Sequence, residues 1–131
     1  MATIFTRIIK GEIPCYKIYE DENYFAFLDI NPLQKGHTLV IPKKEDDYIF
    51  NLDDNTYAGL MMTAKKIAAA IKESTNCKRV GVTVLGMEVP HVHIHLVPMN
   101  SEKDMLFSNP KKELSKEEFE AIAADIAKRV K

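Results

Sequence analysis

Between Pro90 and Pro98 the chain alternates with a period of two. His91, His93 and His95 take one set of positions, and Val92, Ile94 and Leu96 take the other. Only an extended strand sorts alternate residues onto opposite faces. The pattern therefore predicts a strand over His91–Val97, with Val92, Ile94 and Leu96 turned to an apolar core and the histidines together on the other face. The chain has four histidines, so three of them fall in this one strand. A single histidine in a strand is ordinary packing. Three in register call for a chemical reason.

The remaining segments supply a scaffold. Thr3 is placed to cap a short helix carrying Ile4, Phe5, Ile8 and Ile9, stopped by Gly11. Tyr16–Glu20 and Tyr24–Ile30 are aromatic and β-branched, and they read as a hairpin around Asp21-Glu22-Asn23. His37–Ile41 is a third strand ended by Pro42, and Arg79–Leu85 a fourth. Asn55 or Thr56 opens a helix whose apolar stripe is Tyr57, Leu60, Met61, Ala64, Ile67, Ala68 and Ile71. Met61 and Met62 read as core or interface filler, and one of them is expected against a partner subunit. Ser115-Lys116-Glu117-Glu118 is a capping box that opens a C-terminal helix at about 115–130. Mostly short strand connections favour antiparallel pairing. The predicted class is α+β, a five-stranded antiparallel sheet with packed helices, in a single domain spanning 1–131.

Two chemistries suit a row of imidazoles. One is zinc binding, for which His-x-His on a strand is a known geometry. Alternate strand residues are roughly 6.6 Å apart, so His91 and His95 are too widely spaced to share one tetrahedral ion, and two ligands at most come from the row. The other is nucleophilic attack on phosphorus. Neutral imidazole is available near pH 7, and adjacent histidines can donate to phosphate oxygens.

His91-Val92-His93-Ile94-His95-Leu96-Val97 matches the His-φ-His-φ-His-φ-φ signature of the histidine triad (HIT) family, φ being apolar. Lys10-Gly11-Glu12-Ile13-Pro14, Phe25–Pro32 and Gly36–Lys43 resemble other segments of the family in the same order, over roughly residues 4 to 98. The resemblance implies a sheet continued across a homodimer and a two-step nucleotidyl transfer. In it His93 is the nucleophile, oriented by a backbone carbonyl near His91. His95 contacts the phosphate and the bridging atom, His91 is structural in its side chain, and His37 is a fourth histidine near the phosphate. Asp29 binds the ribose hydroxyls and Ile30 packs on the base. Ile4, Phe5, Ile8 and Ile13 line the base pocket. Read without the family, Asp29 is a turn residue before Pro32 and the four apolar residues are plain core. The loop Leu85–Pro90 is shorter than in many relatives, and Glu88 stands at a position where they carry a hydroxyl, which leaves its role open. The paired N-terminal zinc cysteines of some branches are absent.

Composition bounds the partners. With 18 Lys plus Arg against 19 Asp plus Glu, the chain lacks the basic excess of a nucleic-acid binder. No apolar run approaches the roughly 20 residues of a membrane span, and the first residues do not have the order of a signal peptide. Cys15 and Cys77 are far apart and read as reduced thiols, in keeping with a cytoplasmic protein. The expected function is hydrolysis or transfer at the α-phosphate of a purine nucleoside phosphoramidate or dinucleoside polyphosphate. It requires no cofactor, and any bound zinc is not expected to be catalytic. Alternatives are a nucleotide-binding module with little turnover and a histidine-based metal-binding protein.

Overall fold

The structure, a computed structural model, describes residues 2–131; Met1 lies outside the described residues. Five antiparallel strands form one sheet: β1 (Lys17–Glu20), β2 (Tyr24–Leu28), β3 (Thr38–Pro42), β4 (Arg79–Thr83) and β5 (Ile94–Met99). Their spatial order is β1-β2-β3-β5-β4. Three helices accompany them: α1 (Ile4–Ile9), α2 (Asp54–Thr75) and α3 (Lys116–Arg129). The long α2 carries the chain from β3 to the far edge, so β5 can return between β3 and β4.

Helix starts follow local chemistry. The Thr3 hydroxyl caps α1, Asp53 caps α2, and Ser115 with Glu118 forms the capping box of α3. Gly11, just past α1, has φ +80°, which glycine adopts without strain. On α2, Leu60, Ala64, Ile67 and Ile71 are buried against the sheet. Gly59 faces β2 so closely that an added Cβ would lie 1.9 Å from the Tyr24 hydroxyl. Met61 and Met62 are exposed, not core, because Leu60, Thr63 and Ala64 hold the inward face of the helix.

Both sheet faces are covered. Tyr24, Ala26, Leu28, Val40, Ile94 and Leu96 pack with α2 and α3 in the main core. The alternate residues Phe25, Phe27, Leu39 and Ile41 form a second layer with Phe5 and Ile8 of α1. A short helix cannot span a whole sheet face, and the gap beside α1 is where the histidines lie.

Two strand boundaries differ from the sequence reading. β2 stops at Leu28, and Asp29 and Ile30 leave it. The Asn31 N–H donates to Asp29 Oδ1 at 2.8 Å, a local turn that competes with the ladder. β5 runs from Ile94 to Met99 instead of from His91 to Val97. Val40 pairs with Ile94, so the residue opposite Val92 would be Pro42, which has no N–H to continue the ladder. The Val92 N–H donates instead to the Asp46 carbonyl at 2.7 Å. His91 and His93 therefore sit on an extended lead-in to β5, and only His95 lies within the strand. At its other end β5 continues through Pro98, beyond the last residue paired with β3, where only β4 flanks it.

Candidate active site

The triad histidines are buried, at 0%, 6% and 7% relative exposure for His91, His93 and His95. The face expected to oppose the core is thus itself interior, with the rings of Phe5 and Phe107 against the histidines. The Phe5 ring lies edge-on to His93, with centroids 5.0 Å apart, and Phe107 lies edge-on to His95 at 4.9 Å.

Hydrogen-bond direction fixes the proton on each ring. His93 Nδ1 is 2.7 Å from the His91 carbonyl. A carbonyl only accepts, so Nδ1 carries the hydrogen and Nε2 keeps its lone pair. The Leu33 N–H donates to His37 Nδ1 at 3.0 Å, so His37 carries its hydrogen on Nε2. That Nε2 lies 3.0 Å from His95 Nδ1, which must accept, leaving His95 with Nε2–H. Two neighbouring rings are therefore held in opposite tautomers: His93 offers a lone pair and His95 a hydrogen. The Pro42 carbonyl accepts from His91 Nε2 at 2.8 Å, which fixes that ring as well.

The same packing resists protonation. Burial holds His37 down to about 3, helped by the nearby His95. Burial and the nearby His93 hold His95 down to about 4. Burial lowers His91, against the Pro42 bond that favours its charge. Burial pushes the Asp29 carboxyl up, against the lowering effect of the Asn31 N–H.

A cavity of about 400 Å³ opens onto this arrangement, within the range of small-ligand sites. His93 and His95 line it, with Asp29 and Glu88. Ile4, Phe5, Ile8, Ile13 and Ile30 form its apolar wall. Two of these side chains are poorly covered by the fold, Ile4 at 49% exposure and Ile30 at 64%. His37 and His91 do not line the cavity; His37 Nε2 bonds to His95 and lies 3.6 Å from Asp29 Oδ2, and the His91 carbonyl bonds to His93. One Asp29 oxygen closes the turn to Asn31, and the residue also lines the cavity.

Sequence reasoning did not single out Phe107, Cys15 or Leu39, which also line the cavity. Phe107 comes from an irregular segment without periodicity, whereas Leu39 was open to detection as the neighbour of His37 on an alternating strand.

Asp29, His37 and His95 each bring a potential metal-ligand atom within 4.8 Å of the others, a grouping found among the described residues. The proton inventory opposes an ion there. His37 Nδ1 is committed to the Leu33 N–H, so its Nε2 could ligate only as an imidazolate.

A model of the HIT domain matches residues 10–102. The chain belongs to the HIT family. It is 37% identical to the adenosine 5'-monophosphoramidase hnt1 of Schizosaccharomyces pombe over 133 residues, covering 100% of each chain. It is 34% identical to Protein hit of Bacillus subtilis, covering 97% of this chain and 93% of that one. A hypothetical histidine triad nucleotide-binding protein from Sulfolobus tokodaii superposes with a TM-score of 0.83 at 31% identity, covering 97% of this chain and 91% of that one. The Sulfolobus tokodaii structure shares the antiparallel fold described above. Among the described residues of this HIT protein, no helix is long and apolar enough to cross a membrane.

Proposed function

We propose that this HIT protein hydrolyses a purine nucleoside phosphoramidate at its α-phosphorus through a nucleotidyl-His93 intermediate. The observation that carries the reading is the pair of opposed tautomers at the cavity floor. His93 Nε2 has a lone pair because the His91 carbonyl takes the proton on Nδ1. His95 has a hydrogen on Nε2 because His37 donates to its Nδ1.

In the first step His93 Nε2 forms a bond to phosphorus and the P–N bond of the substrate breaks. The amine leaves carrying the extra proton that a phosphoramidate nitrogen takes up in solution. The His93 ring becomes an N-phosphorylated imidazolium, and its Nδ1–H bond to the His91 carbonyl strengthens as charge builds. His95 Nε2–H donates to a phosphoryl oxygen. In the second step water attacks phosphorus, the electron pair returns to His93 Nε2, and one water proton passes to solvent. Nucleoside monophosphate is released. No step uses a metal.

Asp29 accepts from the ribose hydroxyls, and the base lies between Ile30 and the α1 residues Ile4, Phe5 and Ile8. Support comes from the uncovered Ile4 and Ile30 side chains, which a flat apolar ligand would bury. The monophosphoramidase name of the fission-yeast relative supports the leaving-group class. A homodimer belongs to the same reading, supported by the exposed Met61 and Met62 on α2 and by Val82 on edge strand β4.

Turnover of adenosine 5'-phosphoramidate in the presence of a chelator tests the proposal. AMP release at an undiminished rate is expected. Release that requires added zinc, or binding of AMP with no release from the phosphoramidate, contradicts it.

A further inference from the structure

We infer that Thr3 is a positioning residue for the nucleophile, acting through His91; the inference rests on the reading of His93 given above. The His91 ring is fully buried, and both of its nitrogens are engaged. Because the Pro42 carbonyl takes the Nε2 hydrogen, Nδ1 is bare and must accept. Its donor is the Thr3 hydroxyl, at 2.9 Å.

That hydroxyl is part of a directed circuit. Thr3 Oγ1 accepts from the Thr6 N–H at 3.2 Å, which is the cap of α1, and so its own hydrogen is free for His91. The Thr3 N–H donates to Thr6 Oγ1 at 3.2 Å, and Thr6 Oγ1 donates to Glu45. One threonine therefore closes the first turn of the helix that walls the base pocket and fixes the ring of the residue whose carbonyl aims His93.

Three ties set the orientation of that carbonyl. The His91 N–H is bonded to Val89, the Val92 N–H to Asp46, and the His91 ring to Pro42 and Thr3. Removing the Thr3 hydroxyl leaves a buried lone pair without a donor. The ring then takes a proton or turns, and the carbonyl it is built on moves with it. The titratable groups facing His91 are Glu45, from the loop after β3, and His93.

Three variants separate this role from the simple capping of α1. Thr3→Val removes both the cap and the donor. Thr3→Ser keeps both. Thr3→Asp keeps the cap, since aspartate is a favoured N-cap, but its ionised carboxylate has no hydrogen to give. The measurements are kcat on adenosine 5'-phosphoramidate, AMP affinity, and the imidazole ¹⁵N spectrum of His91 and His93. In Thr3→Asp, which keeps the cap, kcat is expected to fall about tenfold or more with AMP affinity within about twofold, the scale of losing an orienting partner, and Thr3→Val is expected to lose kcat at least as strongly. Thr3→Ser is expected to restore it. The His91 Nδ1 resonance is expected to lose its acceptor character in Thr3→Val and to show a proton in Thr3→Asp. Restoration by Thr3→Asp, or a kcat loss that only tracks AMP affinity, overturns the inference, because capping alone then accounts for Thr3. Should Thr3→Val fail to fold, the contrast of Asp with Ser decides. Should the wild-type protein not turn over, the functional reading fails, and an unchanged His93 spectrum in the variants then overturns the positioning role separately.

Discussion

His37 Nε2 lies 3.0 Å from His95 Nδ1, and the direction of that bond is set from outside the pair by the Leu33 N–H on the other side of His37. A proton added to His95 Nδ1 would meet the His37 hydrogen head-on. Burial above all, with this bond direction beside it, holds both rings neutral, and this has a cost in acid. An unfolded histidine titrates near 6.5, while these are held to about 3 and about 4. Between those limits the unfolded chain binds protons that the folded chain refuses, so stability falls as pH drops below 6.5 and rises with pH across the window. At pH 5 the loss is on the order of 2 kcal/mol for each ring. Urea unfolding at pH 7 and pH 5 checks this. His37→Asn, which removes one of the two rings, is expected to show a shallower pH dependence; equal slopes contradict the lowered titration of His37.

The apolar wall divides into residues that hold the fold and residues that await a ligand. Phe5 is buried, and Phe5→Ala is expected to cost about 3–5 kcal/mol, as for other core aromatics. Ile30 is mostly exposed, and Ile30→Ala is expected to change stability by no more than about 0.5 kcal/mol. The same Ile30→Ala change is expected to raise KM for a nucleotide substrate severalfold with little change in kcat. Thermal unfolding together with steady-state kinetics separates the two effects. An unchanged KM in Ile30→Ala removes the base from this wall.

Glu88 is exposed at the cavity rim. A rim carboxylate favours a cationic leaving group by the modest amount typical of exposed charges, up to about 1 kcal/mol. Glu88→Ser is expected to raise KM up to about fivefold for a phosphoramidate bearing a lysine-like amine, and to leave an uncharged one unaffected. Equal effects on both substrates take Glu88 out of leaving-group selection.

The exposed methionines on α2 and the β4 edge make an oligomer testable directly. Sedimentation at micromolar concentration is expected to give a dimer, and Met62→Lys is expected to shift it toward monomer. A wild-type monomer at that concentration contradicts the arrangement.

Much of this was readable in the chain itself. The alternation Val92, Ile94, Leu96 located the core face, and the caps at Thr3 and Ser115 fixed two helix starts, because period and capping are local properties of side chains. The start of β5 was not readable. It depends on Pro42 falling opposite Val92, a fact of register between residues 50 apart. The carbonyl near His91 that orients His93 was implied by the family resemblance, but the tautomers of His37, His95 and His91 were not readable, since their determinants include the Leu33 N–H and the Pro42 carbonyl, and backbone groups have no residue signature. Phe107 was missed because its segment has neither period nor motif. Met61 was placed on an apolar stripe that α2 turns only partly inward.

In the proposed reaction His93 carries the nucleotidyl group. Quenching the protein in alkaline denaturant during turnover of adenosine 5'-phosphoramidate, and mapping the modified peptide by mass spectrometry without acid exposure, tests this. The account predicts an acid-labile adenylyl group on His93, absent in His93→Ala, which folds normally but does not turn over. His91→Ala is expected to retain more activity. An adenylyl group on another residue, or His93→Ala turning over at the wild-type rate, contradicts it.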